Sequence, residues 1–224
     1  MSSHENKEMK TRKKGFLICF IGIDGSGKTT LAKMLVDTMN ENGIRSQYLW
    51  CGWRQFEFFL LKHLARAAKR LRHSRQNSGL ESDAIGEVRN PLYRCLILMD
   101  YVFSSVPKVR IPLALRRNVV CDRYVYDVVG GLLVNHRFMA TMALRLFPRP
   151  DLIFLVDLPE EIAYQRKDDV PSVSYLKERK AIYMNMERRF KMTVIDGSKE
   201  LGELRTVILS EVKKLMSREI MPRK

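Results

Sequence analysis

An α/β fold, a parallel sheet covered by helices on both faces, is predicted by three observations. Five short apolar runs recur along the chain, and stretches with helical periodicity separate them. The first run also passes through a glycine-rich turn straight into an amphipathic helix. Strand, crossover helix and next parallel strand is the unit that such alternation builds. At 224 residues the chain suits one domain with a sizeable core.

The strand candidates are Phe16 to Ile21, Arg45 to Trp50, Asn118 to Cys121, Leu152 to Asp157 and Thr193 to Ile195. Ahead of them, residues 1–14 carry Lys7, Lys10, Arg12, Lys13 and Lys14 with little to bury, so a disordered basic arm is expected there and the folded domain over 15–224. The first helix, Thr29 to about Asn42, sets Leu31, Met34, Leu35 and Met39 on one stripe, and Gly43 stops it. A second helix, Gln55 to about Arg72, has an apolar stripe that includes Leu61, Leu64 and Leu71. The basic residues between Lys62 and Arg75 read either as solvated surface or as an anion-binding face. Asn77 to Asp83 is expected to be a mobile connection. A helix from Leu92 to about Ser104 follows, while Pro107 and Pro112 leave Val106 to Leu115 open between loop and short helix. The remaining helices are expected from Val128 to about Leu146, Glu160 to about Lys167, Ser174 to about Arg189 and Glu200 to about Ser217.

A formal charge of +15 attracts polyanions, and nucleotides, nucleic acid and acidic membranes satisfy it equally. Nothing in the chain reads as a base-reading helix or an RNA-binding motif, so nucleic acid is not the favoured partner. The arm is not followed by a secretory cleavage site, and no run of about 18 apolar residues spans a bilayer. A soluble, cytoplasmic protein without a membrane partner is expected. The four cysteines, Cys19, Cys51, Cys95 and Cys121, lack C-x-x-C pairing and read as buried reduced thiols rather than a zinc site.

Gly22-Ile23-Asp24-Gly25-Ser26-Gly27-Lys28-Thr29 fits G-x-x-x-x-G-K-[ST], and Thr30 continues it into the helix. Small glycines let successive backbone N–H groups turn toward β- and γ-phosphates, Lys28 adds a mobile cation, and the Thr29 hydroxyl is placed to ligate Mg²⁺. The helix N-terminus adds a partial positive charge. The second informative segment, Asn118-Val-Val-Cys-Asp-Arg-Tyr124, is an apolar strand ending in an acid and a base. Ligands gather at the carboxyl ends of strands in such sheets, so Asp122 and Arg123 should emerge beside the loop. Asp122 suits Mg²⁺, directly or through water, and Arg123 suits the phosphate of a second substrate.

On these segments, with RPDLIFLVDLPEEIAYQRK (Arg149 to Lys167), YLKERKAIY (Tyr175 to Tyr183) and VIDGS (Val194 to Ser198), the chain resembles the thymidylate kinase family of nucleoside monophosphate kinases over most of residues 15 to 217. The resemblance implies a three-layer P-loop fold with a five-stranded parallel sheet in the order 2-3-1-4-5. It also implies transfer of the γ-phosphoryl of ATP to a monophosphate, dTMP in that family, and commonly a homodimer, for which Leu92 to Phe103 offers an apolar surface. Asp24 matches the family's acid that contacts the acceptor sugar. Some members carry an arginine at the position of Gly25; without it, the cation is sought in the short lid near 165–175, with Arg166 first and Lys167 and Arg179 behind it. The turn Val194 to Ser198 matches the height of the family's adenine, and Ser198 reads as an N-cap in any case.

The acceptor side departs from the family. Trp50-Cys-Gly-Trp-Arg54 stands where an Arg-Glu-Pro-Gly segment is usual, so Trp53 and Arg54 are candidates for base stacking and phosphate binding or for packing at the sheet edge. Tyr101 replaces a common arginine, and Val125 to Gly130 lacks the usual Ser and Tyr-Gln positions. The expected function is therefore Mg²⁺-ATP-dependent phosphorylation of dTMP. The alternatives are a kinase of another nucleotide or phosphorylated metabolite and a nucleotide-dependent nucleic-acid-binding module.

Overall fold

The computed structural model describes residues 14–52, 91–131, 133, 136–167 and 169–220. Five parallel strands form one sheet: β1 (Leu17–Ile21), β2 (Ser46–Trp50), β3 (Asn118–Asp122), β4 (Leu152–Asp157) and β5 (Thr193–Asp196). Their order is β2-β3-β1-β4-β5, as expected. The helices described are α1 (Lys28–Glu41), α2 (Pro91–Ala114), α3 (Val125–Gly131), α4 (Arg137–Leu146), α5 (Glu160–Gln165), α6 (Val173–Phe190) and α7 (Leu201–Ile220).

Strand alternation sorts the core into two layers. Leu17, Cys19 and Ile21 of β1, with Val119 and Cys121 of β3, pack toward α2, α3, α4 and α6. Ile18 and Phe20, with Val120 of β3 and Phe154 of β4, pack toward α1 and α7, where Leu31, Leu35, Leu204 and Ile208 meet them. A strand covered on both faces reads as an unbroken apolar run, which is why β1 and β3 stand out in the sequence.

Three elements differ from the sequence reading. The helix expected to end near Ser104 continues to Ala114 through Pro107 and Pro112. Each proline removes an amide donor and costs about 3 kcal/mol in a helix interior. Val109 and Leu113 remain buried on the sheet side while Pro107 is exposed, so burial of that stripe outweighs the broken bonds. The helix expected over Val128 to Leu146 is two: α3 ends at Gly131 and α4 begins at Arg137. The Gly130-Gly131 pair lowers helix propensity, and Gly130 lets α3 sit against Ile182 and Met186 of α6. Ser198 is not an N-cap, since α7 begins at Leu201; its N–H and hydroxyl instead bond Asp196 Oδ1 at 3.0 and 2.6 Å.

Cys19, Cys51 and Cys121 are buried, with the Cys51 and Cys121 sulfurs 3.4 Å apart, whereas Cys95 is exposed on α2. Among the described residues no His, Cys, Asp or Glu cluster could hold a metal on its own, and no helix is long and apolar enough to cross a membrane. The basic arm, the helix expected from Gln55, the connection at 77–83 and the candidates Trp53 and Arg54 lie almost wholly outside the described residues.

Buried Asn118 ties the foot of the sheet. Its Oδ1 accepts the Phe16 N–H at 2.9 Å and its Nδ2 donates to the Arg45 carbonyl at 3.1 Å, joining three chain segments. Asn118→Ala strands the Phe16 amide and is expected to lower stability by about 1–3 kcal/mol, read as a lower urea midpoint at unchanged m.

Candidate functional site

The loop between β1 and α1 is built by its glycines. Gly27 takes φ 91° at the N-cap of α1, and Gly25 takes φ 82°. A side chain on Gly25 would also run into the Ala163 carbonyl of α5. Helix α5 therefore sits directly on the loop.

Parallel pairing then fixes what lies opposite. Phe20 of β1 is in register with Asp122 of β3, so the loop and the segment after β3 leave the sheet at one height. The Thr29 hydroxyl donates to Asp122 Oδ2 at 2.5 Å, and the Tyr48 hydroxyl of β2 donates to the same oxygen at 3.0 Å. Asp122 Oδ1 is buried and has no hydrogen-bond partner among the described residues. A buried carboxylate oxygen beside a threonine hydroxyl at the mouth of a phosphate loop fits a hard divalent cation that keeps water and phosphate as its other ligands.

Arg123 has the left-handed backbone φ of 64°, rare for a side-chain-bearing residue, and its N–H donates to the Phe20 carbonyl at 2.9 Å. This turn aims the guanidinium back at the loop. Nη2 donates to Asp24 Oδ1, and Nη1 donates to Asp127 Oδ2 at 2.8 Å. Asp127 Oδ1 in turn accepts the Tyr183 hydroxyl at 2.6 Å, and Arg179 donates to that hydroxyl at 2.9 Å. The acids shape the charges. Burial pulls Arg123 toward the neutral form, but Asp127 and Asp24 outweigh it and raise its pKa. For Asp24 burial acts upward, and the Arg123, Lys28 and Lys167 charges prevail and lower it. Lys28 is buried, donates to the Ile23 carbonyl at 2.6 Å and is brought down to about 8, by desolvation first and then by the Arg123 charge.

A cavity of about 460 Å³ opens here, lined by Asp24, Gly25, Gly27, Lys28, Thr29, Thr30, Trp50, Asp122, Arg123, Arg166 and Lys167. Gly22, Ile23 and Ser26 complete the loop behind it, with the Ser26 hydroxyl buried and without a hydrogen-bond partner among the described residues. The two segments found in the sequence thus meet in one pocket, and Arg166, at the end of α5, faces into it. Lys167 reaches Asp24 at 3.7 Å. Arg179 instead engages Tyr183 and lies against Gly131.

Asp127, Tyr48 and Tyr183 were not candidates from sequence. Tyr48 had a usable signal, since alternation along β2 sets it two residues before Trp50 on one face. Asp127 lies one helical turn after Arg123, a spacing that joins opposite charges. Tyr183 had no local signal, being 56 residues from its partner.

No protein-family model matches the chain. Among curated proteins, the chain is similar to a probable thymidylate kinase of Metallosphaera sedula, 24% identical over 90% of this chain and 94% of the relative. It is also similar to the thymidylate kinase of Brachyspira hyodysenteriae, 26% identical over 89% of this chain and 94% of that protein. A probable thymidylate kinase of Pyrococcus abyssi is 28% identical over 87% and 88%.

The depressed Lys28 value gives a signed expectation. The unfolded lysine, at its ordinary 10.5, binds more protons than the folded one between pH about 8 and 10.5, so ligand-free protein gains stability from this group as pH rises through that window and loses it as pH falls through 8. Urea unfolding across the window should show that rise in the native protein and a smaller one in Lys28→Met.

Proposed function

Because the chain is a member of the thymidylate kinase family, we propose that it transfers the γ-phosphoryl group of Mg²⁺-ATP to dTMP, giving ADP and dTDP. The observation that carries this reading is the single cavity in which the phosphate loop, the Thr29 and Asp122 pair, Arg123 and Arg166 converge. In this proposal the loop amides from Asp24 to Thr30 hold the donor phosphates, and Lys28 leaves the Ile23 carbonyl to bind them. Thr29 and Asp122 are the residues that would hold Mg²⁺, which when bound neutralises triphosphate charge.

Arg123 receives the acceptor phosphate and Asp24 the acceptor sugar. Arg166 adds positive charge where the equatorial oxygens of the moving phosphoryl develop it, and α5 against Gly25 helps exclude water. An acceptor phosphate that is already dianionic needs no general base. The reading sets the reaction in the cytoplasm, where ATP and nucleoside monophosphates are found. It includes pairing of two copies through the middle of α2, where Met99 and Phe103 are exposed, which sedimentation analysis checks.

One observation favours a second reading, the same chemistry on another acceptor. Tyr101 is buried with its hydroxyl on the Cys51 carbonyl at 2.7 Å, and Asp127 brings a carboxylate to Arg123, so two positions on the acceptor side differ from the family pattern. Incubation of the full chain with ATP and a panel of monophosphates separates the two. Turnover is expected to be highest with dTMP, and turnover of another acceptor with none of dTMP overturns the specific claim.

Two substitutions test the roles. Lys28→Ala is expected to lower kcat by about a hundredfold or more. Arg166→Ala is expected to lower kcat by about a hundredfold while either KM moves by less than about threefold, the signature of an interaction made in the transition state.

A further inference from the structure

We propose that the end of the molecule opposite the phosphate cavity docks on an anionic lipid surface. Helix α2 ends at Ala114, three residues before β3, and α4 ends at Leu146, five residues before β4, so both lead to the amino end of the sheet. β3 is five residues long, which sets this face about 15 to 17 Å from Asp122. The Arg110 guanidinium donates to the Leu146 carbonyl at 3.1 Å and joins the two helix ends.

Large apolar side chains stand out from this end. Ile111 is 59% exposed and Leu115 67%. Along the two segments that lead to this end the charge has one sign. From Tyr101 to Cys121 and from Val128 to Pro150 the sequence carries Lys108, Arg110, Arg116, Arg117, Arg137, Arg145 and Arg149, seven cations, and no Asp or Glu. The next acid, Asp151, is turned inward and accepts the Leu17 N–H at 2.8 Å. The chain also enters the fold here, since the Gly15 N–H donates to the Leu113 carbonyl at 2.9 Å, and Lys10, Arg12, Lys13 and Lys14 directly precede that point.

Charge complementarity selects the occupant. A second copy meeting this face about a twofold axis would set Arg110, Arg116 and Arg117 against their own equivalents, which is repulsive. A nucleic-acid backbone answers the arginines and leaves Ile111 and Leu115 unrewarded. Anionic lipid answers both, with headgroups meeting the guanidinium groups and the acyl boundary taking the apolar tips. The expectation of no membrane partner, drawn from the lack of a spanning run, leaves such peripheral binding untouched. The proposal is independent of which acceptor the cavity takes.

The test is co-sedimentation of the full chain with vesicles of phosphatidylcholine alone or containing about 30% phosphatidylserine. Binding is expected only to the anionic vesicles and to fall steeply with salt. Arg116→Glu with Arg117→Glu, and separately Ile111→Ser with Leu115→Ser, should each weaken it about fivefold or more. Lys213→Glu with Lys214→Glu, the same charge change on α7 across the sheet, should weaken it about twofold at most. No binding to anionic vesicles, or equal loss from the α7 pair, overturns the proposal. So does preference for a single-stranded oligonucleotide with the serine pair without effect, which would make the face a nucleic-acid site. Each variant's melting temperature is measured alongside, and if the charge reversal fails to fold, the serine pair alone decides.

Discussion

The pairing of β1 with β3 is the constraint on which the rest depends. With Phe20 opposite Asp122, the chain leaves both strands at one level, and the residues that follow, Gly22 to Thr29 and Arg123 to Asp127, have no choice but to face each other. The two-sided alternation of apolar residues enforces that register. A slip of one residue would turn Cys121 toward α1 and carry Asp122 to the α2 face, away from Thr29. The site is therefore specified by oily residues that never touch it.

Inside the site the charges are prepared before any ligand arrives. Arg123 is held between Asp24 and Asp127, and Asp127 is itself braced by Tyr183 and Arg179 across to α6. Its orientation needs little reorganisation, but its charge is already shared, so a phosphate received there as proposed would compete with carboxylates rather than meet a bare cation. A left-handed backbone turn at Arg123, which costs roughly 1 kcal/mol or more, is stabilised by those same bonds.

Much of this was legible in the sequence where the signal was local. The bounds of β4 were readable to the residue because Pro150 and Pro159 punctuate both sides of an apolar run. The loop motif and Asp122-Arg123 were legible because residue type, strand end and helix start coincide. What was not legible depended on distant packing. The passage of α2 through two prolines follows from the sheet beneath it, and the break at Gly131 from α6 lying against α3. Tyr183 enters the site only because α6 folds back across α3, an arrangement that helical periodicity does not encode.

The contact between Gly25 and the Ala163 carbonyl has a consequence for how such a site can diverge. With α5 seated there, the loop has no room for a long cation of its own, and Arg166 caps the C-terminus of α5. If Arg166 supplies the charge as proposed, the two ways of supplying it are alternatives of one backbone rather than independent choices. A lineage carrying this helix placement could acquire a loop arginine only after α5 had shifted, and the shift would itself withdraw the charge it was meant to replace. Intermediates between the two designs would have neither, which makes the choice hard to reverse once made.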